Sequence, residues 1–182
     1  AVAQPGLLLG ELDRATQAFG LATPLGTGSI TGIAGLTLGG GIGWLVRKYG
    51  LTIDSLEAAE IVTADGQTLH VSASEHPDLF WALRGGGGNF GVVTSFEFRA
   101  QPVKTVVGGM ISYDLADAES ILTQWAAYMR TAPEELNSTV VLFPGFGPQV
   151  PAQLMLLVCY GGEGAAADKA IQPLRELGTP TN

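Results

Sequence analysis

The sequence predicts an α+β chain built in two parts, and three observations predict it. Segments with helical spacing of apolar residues occur alongside segments that read as strands. An Asp65-Gly66 pair separates two β-prone runs, which is the pattern of a hairpin. After Pro102 the order becomes strand, helix, strand, strand, helix, the sign of an α+β sandwich distinct from the first hundred residues. The boundary falls near residues 101–104, dividing the chain into 1–102 and 103–182.

Each element has a local reason. Residues 7–19 fit an amphipathic helix with Leu8, Leu12, Ala15 and Phe19 at helical spacing and Gly20 as the stop. Residues 21–35 hold too many Gly and Pro for a helix and read as a short strand and a long loop. Residues 38–50, LGGGIGWLVRKYG, read as a helix with a glycine-rich start; Trp44, Leu45 and Tyr49 give it apolar contacts. Arg47 and Lys48 suit its negative end, and Gly50 suits the position just past it. The 56–73 segment is the hairpin. Residues 76–85 read as a short helix with Pro77 at its first position and Asp78 at its positive end. Residues 89–100 read as a strand with partial alternation through Phe96 and Phe98.

In the second part, residues 105–115, 138–144 and 152–160 read as strands. Residues 116–132 form an amphipathic helix with Ile121, Trp125 and Tyr128 on one face and Leu122 and Met129 beside it. Residues 165–178 form a helix that Pro173 kinks or begins. No internal repeat is evident.

Composition narrows the function. Charged residues make up only 14% against a usual figure of roughly 25%, so much of the chain is expected to be buried, in part against partner segments. The net charge of −8 argues against nucleic acid and anionic membrane as partners, since both select basic surfaces. The single cysteine, Cys159, excludes an intrachain disulfide framework, and its apolar run LMLLVCY makes it a buried, inert thiol. No run reaches 18 apolar residues, so no membrane-spanning helix is expected. The start AVAQPG has no charged region before its apolar stretch and is not read as a signal peptide. Asn137-Ser138-Thr139 fits a glycosylation acceptor and is read as a chance match.

The most unusual stretch is RGGGGNFGVVT, residues 84–94. Residues 86–91 have the G-x-G-x-x-G spacing, but a dinucleotide loop needs a strand before it and a helix after it. Here the order is reversed, and the position about 20 residues on, where a ribose-binding acid would stand, is Ile111. A Walker A loop is excluded because no Gly-Lys-Ser/Thr occurs. Two readings of the glycines remain open on spacing alone. They make tight turns, or they let two backbone segments, 31–43 and 85–91, approach one large flat ligand with no Cβ in the way.

TGIAGLTLGGGIGWLVRKYGLTIDSLEAAEIVTADG followed by PDLFWALRGGGGNFGVVTSFEFR closely resembles the FAD-linked oxidases of the vanillyl-alcohol-oxidase (PCMH-type) fold. The nearest group is the berberine-bridge-enzyme-like and 6-hydroxynicotine-oxidase-like oxidoreductases. The match is strong over residues 5–100 and weaker beyond. The resemblance implies the second half of a PCMH-type FAD-binding domain over 1–102, followed by the start of an antiparallel-sheet substrate domain over 103–182. It implies FAD as cofactor, lined by backbone at Gly32, Ile33, Ala34, Gly35 and Leu36 and touched by Ile42. Gly87, Gly88, Asn89, Val92 and Val93 approach it from the other side. Arg84 is expected to anchor the loop or the end of the preceding helix. The implied activity is that of an oxidase acting on a C–H bond next to a hydroxyl or amine of a small organic substrate. A base takes the proton, the flavin takes the hydride and dioxygen reoxidises it. A sugar- or lactone-directed oxidase of the same fold is an alternative.

The departures from the family's pattern shape the rest. Its upstream R-x-G-G-H loop, which binds pyrophosphate and often links histidine to flavin, has no match here. His70 and His76 fall elsewhere and read as structural or surface residues. The position matching a second flavin-linking cysteine is Gly28. No catalytic residue is assigned: Tyr113, Tyr128 and Tyr160 read as core or interface, and the alternating polarity of a strand explains Glu57 and Glu60. The chain is expected to be an internal fragment whose partners are the missing parts of its parent. The contrasting expectation is a folded, non-catalytic piece that binds little or no flavin. The likeness to bacterial members implies a cytoplasmic protein.

Overall fold

The computed structural model describes residues 1–147, 149 and 151–182. They form two units, Ala1–Lys104 and Thr105–Asn182. In the first, the strands β1 (Val2–Ala3), β2 (Leu56–Val62), β3 (Thr68–Ser72) and β4 (Val92–Phe98) make one antiparallel sheet in the order β1-β4-β2-β3. The helices are α1 (Leu9–Gln17), α2 (Ile33–Leu38), α3 (Val46–Tyr49) and α4 (Pro77–Gly86). Two 3-10 turns, Thr52–Ser55 and Gly87–Phe90, complete the unit. Its core gathers Leu12, Ile33, Ile61, Val71, Leu83 and Phe96.

The β2–β3 hairpin forms as predicted, with a longer loop than a two-residue turn. The Thr63 N–H donates to the Gln67 carbonyl and the Gly66 N–H to the Thr63 carbonyl, both across 2.9 Å. The loop is therefore three residues, a β-turn followed by Gly66 at φ 84°, where the missing Cβ removes the penalty. The partial alternation of β4 also has a cause. Its register against β2 shifts between Glu60 and Ile61, which oppose Ser95 and Val93, so Thr94 is the extra residue. This bulge changes the phase of the strand and puts both Val93 and Phe96 into the core.

Two helical expectations are corrected. The buried face of α1 is Leu9, Leu12 and Thr16, whereas Leu8 and Phe19 are 40% and 80% exposed and Ala15 is exposed too. Leu8 is extended and precedes the helix; its N–H donates to Glu11 Oε2 across 2.7 Å. Starting the helix one residue later turns the face by about 100°. The predicted 38–50 helix is broken: α2 ends at Leu38, and only Val46–Tyr49 is helical beyond it. Gly40 and Gly41 between them sit at φ 116° and 80°, outside helical geometry. The short helix α2 straddles the end of the stretch that reads as loop, because Gly35 and Thr37 inside it and Gly32 and Gly39 at its ends lower helix propensity.

The second unit is a three-stranded antiparallel sheet, β5 (Val107–Asp114), β6 (Leu136–Phe143) and β7 (Gln153–Tyr160), in the order β5-β7-β6. Helices α5 (Ala118–Met129) and α6 (Ala165–Arg175) accompany it, with Pro173 inside the last turn of α6. Ile121 is fully buried in the core with Leu154, Leu156 and Leu174, and Leu122, Trp125, Tyr128 and Met129 pack against it, the predicted α5 face. Among the described residues, no helix is long and apolar enough to cross a membrane.

Candidate functional site

The first glycine segment is set by the start of α2. Gly32 is extended and offers no side-chain cap, so the first turn of the helix keeps its N–H groups clear of capping side chains. The Ile33 N–H donates to the Leu7 carbonyl across 2.9 Å, and the Ile33 side chain is fully buried in the core. That anchor orients the turn. Gly32 and Gly35 are exposed, and a Cβ added at either would meet no atom within 4 Å. Ala34 and Leu36 are half-buried and pack against the core. The bare backbone at Gly32 and Gly35 thus faces open space, on a turn held from behind.

The second segment follows α4. Arg84 and Gly85 leave helical geometry, with Gly85 at φ 117°, and the chain turns into Gly87–Phe90. Added Cβ atoms at Gly85, Gly87 and Gly88 would also meet nothing within 4 Å. The Asn89 side-chain amide donates to the Gly86 carbonyl across 2.6 Å and closes the turn on itself. Not every glycine here is open: a Cβ at Gly86 would come within 2.6 Å of the Phe90 ring, and one at Gly91 within 2.3 Å of the Val62 carbonyl. These two are demanded by packing, so the run mixes turn glycines with glycines that leave space.

The two segments meet. Helix α2 packs against α4 and against the Gly87–Phe90 turn, so the exposed backbone around Gly35 and around Gly88 lies in one neighbourhood. Of the remaining predicted contacts, Ile42 and Val92 are 71% and 69% exposed, apolar side chains left facing outwards. Val93, like Ile33, turns its side chain into the core and has only main chain to offer a ligand. Arg84 anchors as predicted: Nε donates to the Ile53 carbonyl across 3.1 Å, and a terminal nitrogen lies 3.2 Å from Asp54 Oδ1. Sequence reasoning missed Ile53 and Asp54. Nothing in LTIDSL marks a main-chain acceptor, though an acid just past a Gly50 turn is a cue that it caps local N–H groups, as Asp54 does for Leu51 across 2.8 Å.

The other candidate side chains are accounted for by packing and pairing. Tyr113 and Tyr128 donate their hydroxyls to the carbonyls of Leu174 and Ala170, and Tyr160 is buried, as the core reading required. Burial pushes the Tyr113 phenol and the Cys159 thiol above their ordinary values, which keeps each protonated at neutral pH. Glu57 pairs with Arg99 at 2.6 Å, and Glu60 accepts from Thr94 at 2.5 Å. His70 lies exposed on β3, and His76, exposed, precedes α4. Among the described residues no group of three or more His, Cys, Asp or Glu could hold a metal ion.

A flat ligand held by backbone fits this donor set. The walls offer peptide groups without side chains, and the apolar edges Ile42 and Val92 suit an aromatic ring system. The Thr37 hydroxyl, on α2 itself, is fully buried with no hydrogen-bond partner, a further polar group that the protein's own atoms leave unsatisfied.

Residues 1–72 match the family described as FAD binding domain. Across 100% of its length the chain is 38% identical, over 187 residues, to the uncharacterised FAD-linked oxidoreductase YgaK of Bacillus subtilis, of which it spans 41%. It superposes on the crystal structure of 6-hydroxy-D-nicotine oxidase from Arthrobacter nicotinovorans with a TM-score of 0.89 and 30% identity, covering 100% of this chain and 40% of that one. Its similarity to the BBE-like 1 protein of Physcomitrella patens has the same TM-score of 0.89 at 27% identity, covering 99% and 39%. The chain carries an FAD-binding domain signature and, over part of the relatives' length, the PCMH-type fold of the berberine-bridge-enzyme-like and 6-hydroxynicotine-oxidase-type FAD oxidases. The cofactor of this class is FAD, and the resemblance read from the two glycine motifs holds.

Proposed function

We propose that the chain works in an FAD-dependent oxidase that takes hydride from a carbon next to a hydroxyl or amine on a small organic substrate. The observation that carries this is the meeting of two segments that expose bare glycine backbone, at Gly32 and Gly35 and at Gly87 and Gly88, in one unit. In this reading residues 1–102 belong to the FAD-binding domain and 103–182 begin the substrate domain. Bound FAD would supply the hydride-accepting ring and pass the electrons to dioxygen.

The protein's part is to hold and orient. The main chain of Gly32, Ile33, Ala34, Gly35 and Leu36 forms one wall; Gly87, Gly88 and Asn89 form the other, with the start of β4 at Val92 and Val93 beside it. Ile33 and Val93 fix these walls from the core side, while Ile42 and Val92 give apolar contact and exclude water from the ring. Peptide N–H and C=O groups fixed in this way need no reorganisation when charge shifts on a ligand.

The test is a fluorescence titration of the 182-residue chain with FAD, followed by oxygen-uptake assays of the chain within its full-length parent against cyclic amines and sugars. Saturable quenching with a folded protein, and oxygen uptake with one substrate class, are expected. A native chain that leaves flavin fluorescence unchanged would favour the folded, non-catalytic piece instead.

A further inference from the structure

Both glycine segments are tied to the same short turn, Thr52–Ser55, and they are tied from opposite ends. On one side the Thr52 N–H donates to the Gly41 carbonyl and the Ile53 N–H to the Gly40 carbonyl, both across 3.0 Å. These bonds hold the chain that leaves α2. Contact is close there: a Cβ at Gly41 would lie 2.3 Å from Thr52 Oγ1. On the other side, Arg84 reaches the turn from the end of α4. Its Nε meets the Ile53 carbonyl and its terminal nitrogen meets Asp54 Oδ1. The second Asp54 oxygen is taken by the Leu51 N–H, so the carboxylate is fixed before the arginine arrives. The Arg84 guanidinium also lies 5.7 Å from the centre of the Phe80 ring, and Phe80 is buried. Arg84 is the residue at which α4 departs from helical geometry, and the Gly85–Gly88 segment starts there.

We propose that Arg84 is a positioning residue that, through the Thr52–Ser55 turn, sets the spacing between the two glycine walls. The inference rests on the reading of those walls as flavin-binding. The Arg84 hydrogen bonds go to Ile53 and Asp54. Arg84 acts by joining Ile53, whose own N–H holds Gly40, to the end of α4, from which the second glycine segment departs. A planar guanidinium is suited to this because two of its N–H groups serve two separate acceptors at once; a lysine ammonium at the end of a flexible stem serves one or the other.

The experiment compares the 182-residue chain with Arg84→Met, which keeps the stem, and Arg84→Lys, by two readouts. The first is backbone hydrogen exchange without ligand. Arg84→Met is expected to speed exchange together at the Thr52 and Ile53 amides, which donate to the carbonyls of the first glycine segment, and at 85–91 in the second segment, while the amides paired between β2 and β4 are unchanged. The second is FAD affinity by fluorescence titration. Arg84→Met should weaken it by about tenfold, as loss of hydrogen bonds to a charged group implies, with Arg84→Lys falling between. Faster exchange confined to 85–91, or at neither segment, would overturn the clamp. So would a wild type that binds FAD alongside an Arg84→Met variant that binds it equally well. A wild type that binds no FAD contradicts the cofactor reading, and with it any role of Arg84 toward a flavin.

Discussion

The hydroxyl of Tyr113, the penultimate residue of β5, donates to the main-chain carbonyl of Leu174 in α6, and the tyrosine is completely buried. One hydrogen bond thus ties the edge strand of the second unit to its last helix. It also removes Tyr113 from consideration as a base. Tyr113→Phe should cost about 1–2 kcal/mol, because the Leu174 carbonyl would lose its buried donor; urea unfolding measures this. Burial raises the phenol's pKa in the folded state. The stabilisation is therefore fully present below the unfolded value of about 10 and is lost as pH rises through the folded value. The gap between wild type and Tyr113→Phe should be flat through neutral pH and close only in strong alkali.

Two glycine substitutions should behave in opposite ways. A Cβ at Gly43 would stand 1.6 Å from the Leu25 carbonyl oxygen, a backbone atom that cannot swing aside. Gly43→Ala should destabilise by roughly 3 kcal/mol or more, the upper range for overpacking. At Gly35 there is open space, and the residue is inside α2. Gly35→Ala should leave stability unchanged or raise it by about 0.5–1 kcal/mol, yet weaken FAD binding. Thermal melts and flavin titrations of both variants check the pair.

Cys159 should be silent. It is buried, and burial raises its thiol pKa. Native protein is expected to resist a thiol reagent at neutral pH and to react with one equivalent after unfolding in urea.

The loop of the β2–β3 hairpin offers a clean stability test. Gly66→Ala places a Cβ at φ 84° with no steric neighbour, so only backbone strain changes. A loss of about 1 kcal/mol is expected, with the rest of the sheet intact by circular dichroism.

What the sequence made legible was whatever rests on local chemistry. Asp65-Gly66 announced the hairpin, Pro77 the first position of α4, and Ile121, Trp125 and Tyr128 the buried face of α5. Boundaries that depend on tertiary contacts were harder to read. Leu8 looks like a helix-face residue until Glu11 caps its N–H, and Gly39–Gly41 look like the start of a helix until the Thr52–Ser55 turn claims the carbonyls of Gly40 and Gly41. In the site, the glycine segments were visible, but which glycines face open space was not. Gly35 and Gly86 are alike in sequence, and only the Phe90 ring packed over Gly86 tells them apart. Ile53 serves through its main chain, which leaves no trace in side-chain identity.

In the proposed site, backbone around Gly35 and around Gly88 forms two walls for one flavin. Amide chemical-shift changes in the 182-residue chain, followed residue by residue as FAD is added, test it most directly. Saturating shifts with a common affinity are expected at Gly32–Leu36 and at Gly87–Asn89. Shifts confined to one of these segments, or located elsewhere altogether, would contradict it.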